Sequence, residues 1–127
     1  MRATVRMSVA VMALLVFAAN SLAAEEIAIS VSPKVINIAS ASTVVTVHAD
    51  IPYRLVAGAS VTLNGIAIDW WKSDNQGDFV AKFQASDVKG IVEPGTTPTL
   101  VLEGETVTGG TFSGADVVKV IDVKQKK

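Results

Sequence analysis

The only histidine of the chain, His48, is the first residue to consider for acid–base chemistry. It lies within Thr43 to Ile51 (TVVTVHADI), where apolar and polar side chains alternate. In an extended strand, Thr46 and Asp50 share its face, so a single carboxylate stands beside it. General acid–base catalysis needs a positioned partner and a cleft. We therefore expect His48 to be an ordinary solvent-exposed strand residue.

Other catalytic residue sets are missing from the sequence. The chain has no cysteine, which excludes thiolate catalysis, disulfides and cysteine-based metal sites together. It contains no G-x-S-x-G, H-E-x-x-H or P-loop motif, and no serine stands at a motif spacing from His48. The sequence therefore predicts a protein that is not an enzyme and that needs no cofactor.

One acidic segment raises the question of calcium binding, because Ca²⁺ prefers several converging oxygen ligands. Its oxygen-bearing side chains are Asp69, Asp74, Asn75 and Asp78. The EF-hand spacing fails, since counting from Asp74 puts Phe79 where glycine is required and Ala85 where a bidentate glutamate is required. Asp, Asn and Gly also favour tight turns by their backbone preferences alone. We expect a hairpin turn here and no metal site.

Paired tryptophans are the most specific binding feature of the sequence. Trp70 and Trp71 are adjacent, so a strand directs them to opposite faces, one into the core and one to the surface. An exposed tryptophan can stack on a sugar ring or anchor a protein interface. Tyr53 could belong to the same patch, although its position after Pro52 also suits a corner residue that bonds to the backbone.

The segments that position these residues alternate with period two, which predicts β-strands. Asn64-Gly65 and Gly109-Gly110 predict tight hairpins, and Pro33 divides an edge strand. Ser86 could cap a single helical turn over 86–89 before Gly90. The predicted strands are 27–32, 35–38, 43–51, 60–63, 66–71, 79–84, 99–103, 105–108 with 111–112, and 116–123.

Short strands separated by turns, with no long amphipathic helix, are typical of two antiparallel sheets packed face to face. At this length the immunoglobulin-like β-sandwich is the commonest form. We therefore predict an all-β, Ig-like antiparallel sandwich of seven to eight strands with one short helical turn. A small barrel is the alternative fold.

The N-terminal segment predicts export. Arg2 and Arg6 precede an apolar run of eleven residues from Val9 to Ala19, the layout of a signal peptide. A bilayer-spanning helix needs about 20 residues, so a retained anchor is the weaker alternative. We predict a signal peptide over 1–23, with cleavage after Ala23 or Ala24, a domain over 25–123 and a basic tail over 124–127.

The charge that remains after the leader is mildly acidic. Two of the 11 basic residues lie in the leader, which leaves nine against 12 acidic residues, a net charge of −3 with histidine neutral. Nucleic acid is therefore not an expected partner. A secreted or periplasmic location follows from the leader, which does not distinguish the two.

Several segments, taken in order, resemble a β-sandwich module of unknown function that is found in secreted bacterial and archaeal proteins. The resemblance implies an Ig-like fold outside the cytoplasm and no catalytic residue. The residues that carry it are those of strands and turns: 31–38 (VSPKVINI), 45–53 (VTVHADIPY), 61–65 (VTLNG), 79–83 (FVAKF) and 112–121 (FSGADVVKVI).

Two functions remain open from the sequence. The first is a non-enzymatic exported domain that recognises another envelope or extracellular protein through its surface or a free strand edge. The second is a carbohydrate-binding module that uses an exposed Trp70 or Trp71, with Tyr53 or Asp74 nearby.

Overall fold

The computed structural model describes residues 24–124, and the predicted all-β fold is confirmed. The predicted signal peptide over 1–23 and the last three residues of the tail lie outside the described residues. A 3₁₀ turn spans Tyr53–Leu55, and one helix, α1, spans Ala85–Lys89. The strands are β1 Ala24–Glu26, β2 Ile29–Ser32, β3 Val35–Asn37, β4 Val44–Pro52, β5 Val56–Leu63, β6 Ile66–Ala67, β7 Trp70–Ser73, β8 Asp78–Gln84, β9 Thr99–Thr106, β10 Thr111–Val117 and β11 Lys119–Ile121.

The strand order is that of an immunoglobulin-like sandwich. One sheet has the order β2-β4-β8-β7, which corresponds to strands ABED of that fold. The second has the order β1-β10-β9-β5-β6, which contains strands G, F and C with one added strand at each edge. A short third sheet joins β3 to β11. We refer to the first two as the ABED sheet and the GFC sheet.

The eleven strands exceed the predicted seven to eight because two edge segments change sheets. The first edge segment forms three short strands, of which β1 pairs with β10, β2 with β4 and β3 with β11. The second leaves β5 after β6 and joins β8 as β7, so the predicted strand 66–71 is divided between the sheets. A segment at a sheet edge has hydrogen-bonding partners on only one side, which makes such a change possible.

The predicted hairpin at Asn64-Gly65 is confirmed, because both residues have positive φ, 47° and 84°, as a type I′ turn requires. The helical turn also forms, but its predicted cap is wrong. The helix begins at Ala85 with Gln84 in the capping position and no side-chain capping bond, so Ser86 lies inside it. Residues 56–59 extend β5 beyond the predicted strand.

Alternate side chains of the two sheets form a single apolar core. On β4 the residues that alternate with Thr46, His48 and Asp50 are all buried: Val45, Val47, Ala49 and Ile51. Phe79 and Phe83 of β8 meet Phe112 of β10 in the same cluster, and none of these rings is more than 1% exposed. Within residues 24–124 no polar or charged residue is buried. Stability therefore depends on apolar burial and on the strand ladders.

Asp116 fastens the first edge segment to the sandwich. Its carboxylate accepts the backbone N–H of Val31 at 2.9 Å and also binds the ammonium group of Lys34. The hydrogen bond from Lys34, followed by that from Val31, holds the pKa of Asp116 below its usual value. The neighbouring Gly114 leaves room for the crossing, since a Cβ atom there would lie 2.6 Å from the carbonyl oxygen of Ile27.

We predict that Asp116→Asn lowers the free energy of unfolding by about 1 kcal/mol at neutral pH, the difference between a charged and a neutral hydrogen bond. Because folding lowers the pKa of Asp116, its contribution is complete above the unfolded-state pKa of about 3.9 and is lost as the pH falls through the folded-state pKa. Urea unfolding of both proteins at several pH values between neutral and strongly acidic tests this.

The difference in the free energy of unfolding between wild type and Asp116→Asn should therefore become smaller as the solution is acidified. Asp122→Asn, which removes an exposed carboxylate elsewhere, is the matched control and should leave stability nearly unchanged. If this difference in the free energy of unfolding stayed constant down to acidic pH, the ionised carboxylate of Asp116 would not be the group that holds the edge segment.

Candidate functional site

The two tryptophans of β7 lie on opposite faces, as predicted, and the structure shows which one is exposed. Trp70 is 47% exposed on the outer face of the ABED sheet. Trp71 is only partly exposed and packs against the core cluster. Trp70 is therefore the tryptophan available to a ligand.

Trp71 closes one side of the sandwich. Its indole ring lies over Gly58 of β5, where a Cβ atom would stand 2.2 Å from Cε2 of Trp71. Because β6 pairs with β5 only at Thr62 and Leu63, the ring covers a part of β5 that has β9 on one side and no paired strand on the other. Gly58 thus allows a tryptophan from the other sheet to seal the core.

Polar side chains from neighbouring strands surround Trp70, and we call this group the Trp70 patch. The ammonium group of Lys82 lies 5.5 Å from the centroid of the Trp70 ring and donates to Thr46 Oγ1 at 3.0 Å. Beside it, Gln84 Nε2 donates to Asp69 Oδ2 at 2.9 Å. The members are Trp70, Lys82, Thr46, Asp69 and Gln84.

The strand that carries Trp70 has a free edge. In the described part of the chain β7 pairs with β8 alone. Its turn closes with a bond from the Asp74 N–H to the Asp78 carbonyl at 2.9 Å. Because hydrogen-bonded pairs alternate along an antiparallel ladder, the N–H and C=O groups of Trp71 and Ser73 point away from β8. This edge offers unpaired main-chain groups next to an exposed indole ring.

Tyr53 lies apart from the Trp70 patch. Its ring stacks on Phe79 with centroids 6.3 Å apart, and its N–H donates to the Gly77 carbonyl at 2.8 Å. This places it beside the Asp78 end of β8, while Trp70 lies opposite Lys82, four residues further along that strand. At the rise of a strand, the two positions are about 13 Å apart. Tyr53 is 40% exposed, and it bonds to the backbone through its own N–H group.

The acidic residues from Asp69 to Asp78 are also separated from one another in the structure. Asp69 and Asp74 flank opposite ends of β7, so their carboxylates do not converge. Asp74 Oδ1 accepts the N–H groups of Asp78 and Gln76, which hold the pKa of Asp74 below its usual value, and His48 adds a smaller electrostatic contribution. Residues 24–124 contain no group of three His, Cys, Asp or Glu side chains placed to hold a metal ion. Asp74 stabilises the turn after β7, whereas Asp69 belongs to the Trp70 patch.

His48 is exposed on the outer face of the ABED sheet, between Ser30 of β2 and Val80 of β8. Lys82 and Gln84 are the site residues that sequence reasoning missed. They stand on the polar face of a predicted strand, but nothing in the sequence pairs that strand with Trp70.

Comparison of the chain with protein-family models, with curated proteins and with solved structures found no match. No helix between residues 24 and 124 has the length and apolar character needed to cross a membrane. The geometry of the surface is therefore the guide to function.

The different roles of the tryptophans predict different effects on stability. Trp71→Ala should lower the free energy of unfolding by about 3 kcal/mol, because it opens a cavity at the side of the core. Trp70→Ala should cost no more than about 1 kcal/mol, the value of an exposed cation–π contact. Urea unfolding followed by circular dichroism measures both.

Gly58→Ala is a further test of the same contact, since its methyl group would displace the Trp71 ring. Gly90→Ala is the matched control, because a Cβ atom there meets nothing closer than 3.4 Å. If Gly58→Ala and Gly90→Ala lowered the free energy of unfolding equally, Trp71 would not be the side chain that closes the core at Gly58.

Proposed function

We propose that this protein acts outside the cytoplasm as a non-enzymatic recognition domain that binds an extended segment of another envelope or extracellular protein along the edge of β7. The observation that carries this proposal is the 47% exposed Trp70 on a strand whose outer edge has no partner in the described chain. The predicted signal peptide supports the location.

Strand addition suits this edge because main-chain hydrogen bonds supply affinity and alternate side chains supply specificity. The outward N–H and C=O groups of Trp71 and Ser73 are the main-chain groups available. Trp70 and Lys72 stand two residues apart on the outer face, so an added strand would place its side chains beside an indole ring and an ammonium group. Exposed edge strands often carry lysine, which discourages indiscriminate pairing.

The proposal predicts that Trp70→Ala and Ser73→Pro each strongly weaken partner binding while the domain remains folded. The first removes the aromatic anchor, and anchors of this type commonly contribute 2 kcal/mol or more, about thirtyfold in affinity. The second removes an outward N–H without touching the ladder between β7 and β8. A photo-crosslinking residue at position 72, followed by mass spectrometry of the envelope and secreted fractions, identifies the partner for affinity measurements.

Val117→Ala is the control, because Val117 is 54% exposed on β10 of the other sheet and should be dispensable. A partner that bound Ser73→Pro and Trp70→Ala as tightly as wild type would dismiss this edge. A strictly monomeric protein that formed no crosslink at position 72 would dismiss the proposal itself.

Carbohydrate binding is the second candidate, and the polar half of the Trp70 patch favours it. The hydrogen-bonded pair of Asp69 and Gln84 lies beside an exposed indole ring, which combines a stacking surface with groups that can bond hydroxyls. In this case Trp70→Ala should abolish retention on polysaccharide, whereas Ser73→Pro should leave it unchanged. Affinity electrophoresis of both variants separates the two candidates, and retention of Trp70→Ala would reject the glycan.

A further inference from the structure

A small cavity at one end of the sandwich shares no residue with the Trp70 patch. It has a volume of about 240 Å³ and opens between β3, the loop that leads into β4, and α1. The buried side chains of Ile36, Val45 and Ala85 form its floor, and Pro33 with the 44% exposed Val35 stands at its rim. The cavity is therefore mostly apolar and open to solvent on one side.

A single ammonium group lines this cavity. Lys89 of α1 is partly buried, and its Nζ atom donates to the Ser40 carbonyl at 2.8 Å and more weakly to the Ser42 carbonyl at 3.4 Å. An ammonium group has three N–H donors, so one remains for a ligand. Within residues 24–124 the only ion pair joins Lys34 to Asp116, so no carboxylate of that range neutralises Lys89.

We propose that this cavity is a binding site for a small carboxylic acid with a short unbranched apolar chain. The carboxylate would bind Lys89 Nζ, and the chain would lie on Ile36, Val45 and Ala85. A partly buried charge is costly without a counter-charge, so an anion is the favoured occupant of the polar end. Asn37, Ser40 and Ser42 also line the cavity, but Lys89 supplies its single positive charge, which suits a monoanion.

The size of the cavity limits the length of the chain. Sites for drug-sized molecules commonly measure about 300–1,000 Å³, and this cavity is smaller. A chain of roughly six carbons is the suitable probe. The site shares no residue with the Trp70 patch, so the proposal of a carboxylate site does not depend on the proposed recognition function.

Titration of the purified protein with hexanoate, hexanol and hexylamine tests the proposal by nuclear magnetic resonance. Hexanoate should shift the backbone amide signals of Ile36, Ser42 and Ala85. Hexanol should bind at least about tenfold more weakly, since the charged hydrogen bond contributes about 1.5 kcal/mol or more. Equal affinity for hexanol, tighter binding of hexylamine, or no shift with any of the three would overturn the proposal.

Lys89→Met tests the role of the ammonium group, because methionine keeps most of the apolar stem and removes the charge. It should weaken hexanoate at least about tenfold and leave hexanol unchanged. The matched control is Lys119→Met, which removes an exposed lysine of β11 and should bind hexanoate as wild type does. Unchanged hexanoate affinity in a folded Lys89→Met protein would refute the assignment of Lys89.

Val35→Trp provides a second variant in case Lys89→Met fails to fold after losing its bonds to the loop. A large side chain at the exposed rim should block the cavity without altering the core. Folding of the variants is checked by circular dichroism. Hexanoate binding that survived Val35→Trp would place the ligand elsewhere, and loss of binding in Trp70→Ala would contradict the independence of the two sites.

Discussion

Each sheet must bury its apolar face against the other, and the remaining features of the structure depend on this packing. A chain without cysteine cannot join its sheets by a disulfide, and within residues 24–124 no polar or charged residue is buried. The buried apolar cluster that contains Phe79, Phe83 and Phe112 therefore has to hold the sheets together. Because such packing is dense and intolerant of added or missing volume, it also determines where glycine is needed.

The two sides of the sandwich are closed by segments that pass from one sheet to the other. At one side Ile27 and Ile29 cross over Gly114, and Asp116 holds the segment through its bond to Val31. At the other side the chain leaves β5, joins β8 and lays Trp71 over Gly58. The second closure has a functional consequence, since the residue that turns inward, Trp71, obliges its neighbour Trp70 to face the solvent beside a free strand edge.

The surface separates two kinds of chemistry. The Trp70 patch lies on the outer face of a sheet and combines an indole ring with an ammonium group and polar side chains, which suits a partner that approaches a flat surface. The cavity at Lys89 lies between a helix and a loop and combines apolar walls with one charge, which suits a small molecule.

The sequence by itself determined the strand pattern, the all-β class, the Asn64-Gly65 hairpin and the opposite directions of Trp70 and Trp71, because period-two alternation and turn preferences are local properties of the chain. Which tryptophan is buried was decided by tertiary structure, since it depends on Gly58, a residue of the other sheet. The distance between Tyr53 and Trp70, the partnership of Trp70 with Lys82, and the cavity at Lys89 were decided in the same way. Each of these joins residues that are distant along the chain, and only the pairing of the strands brings them together or keeps them apart.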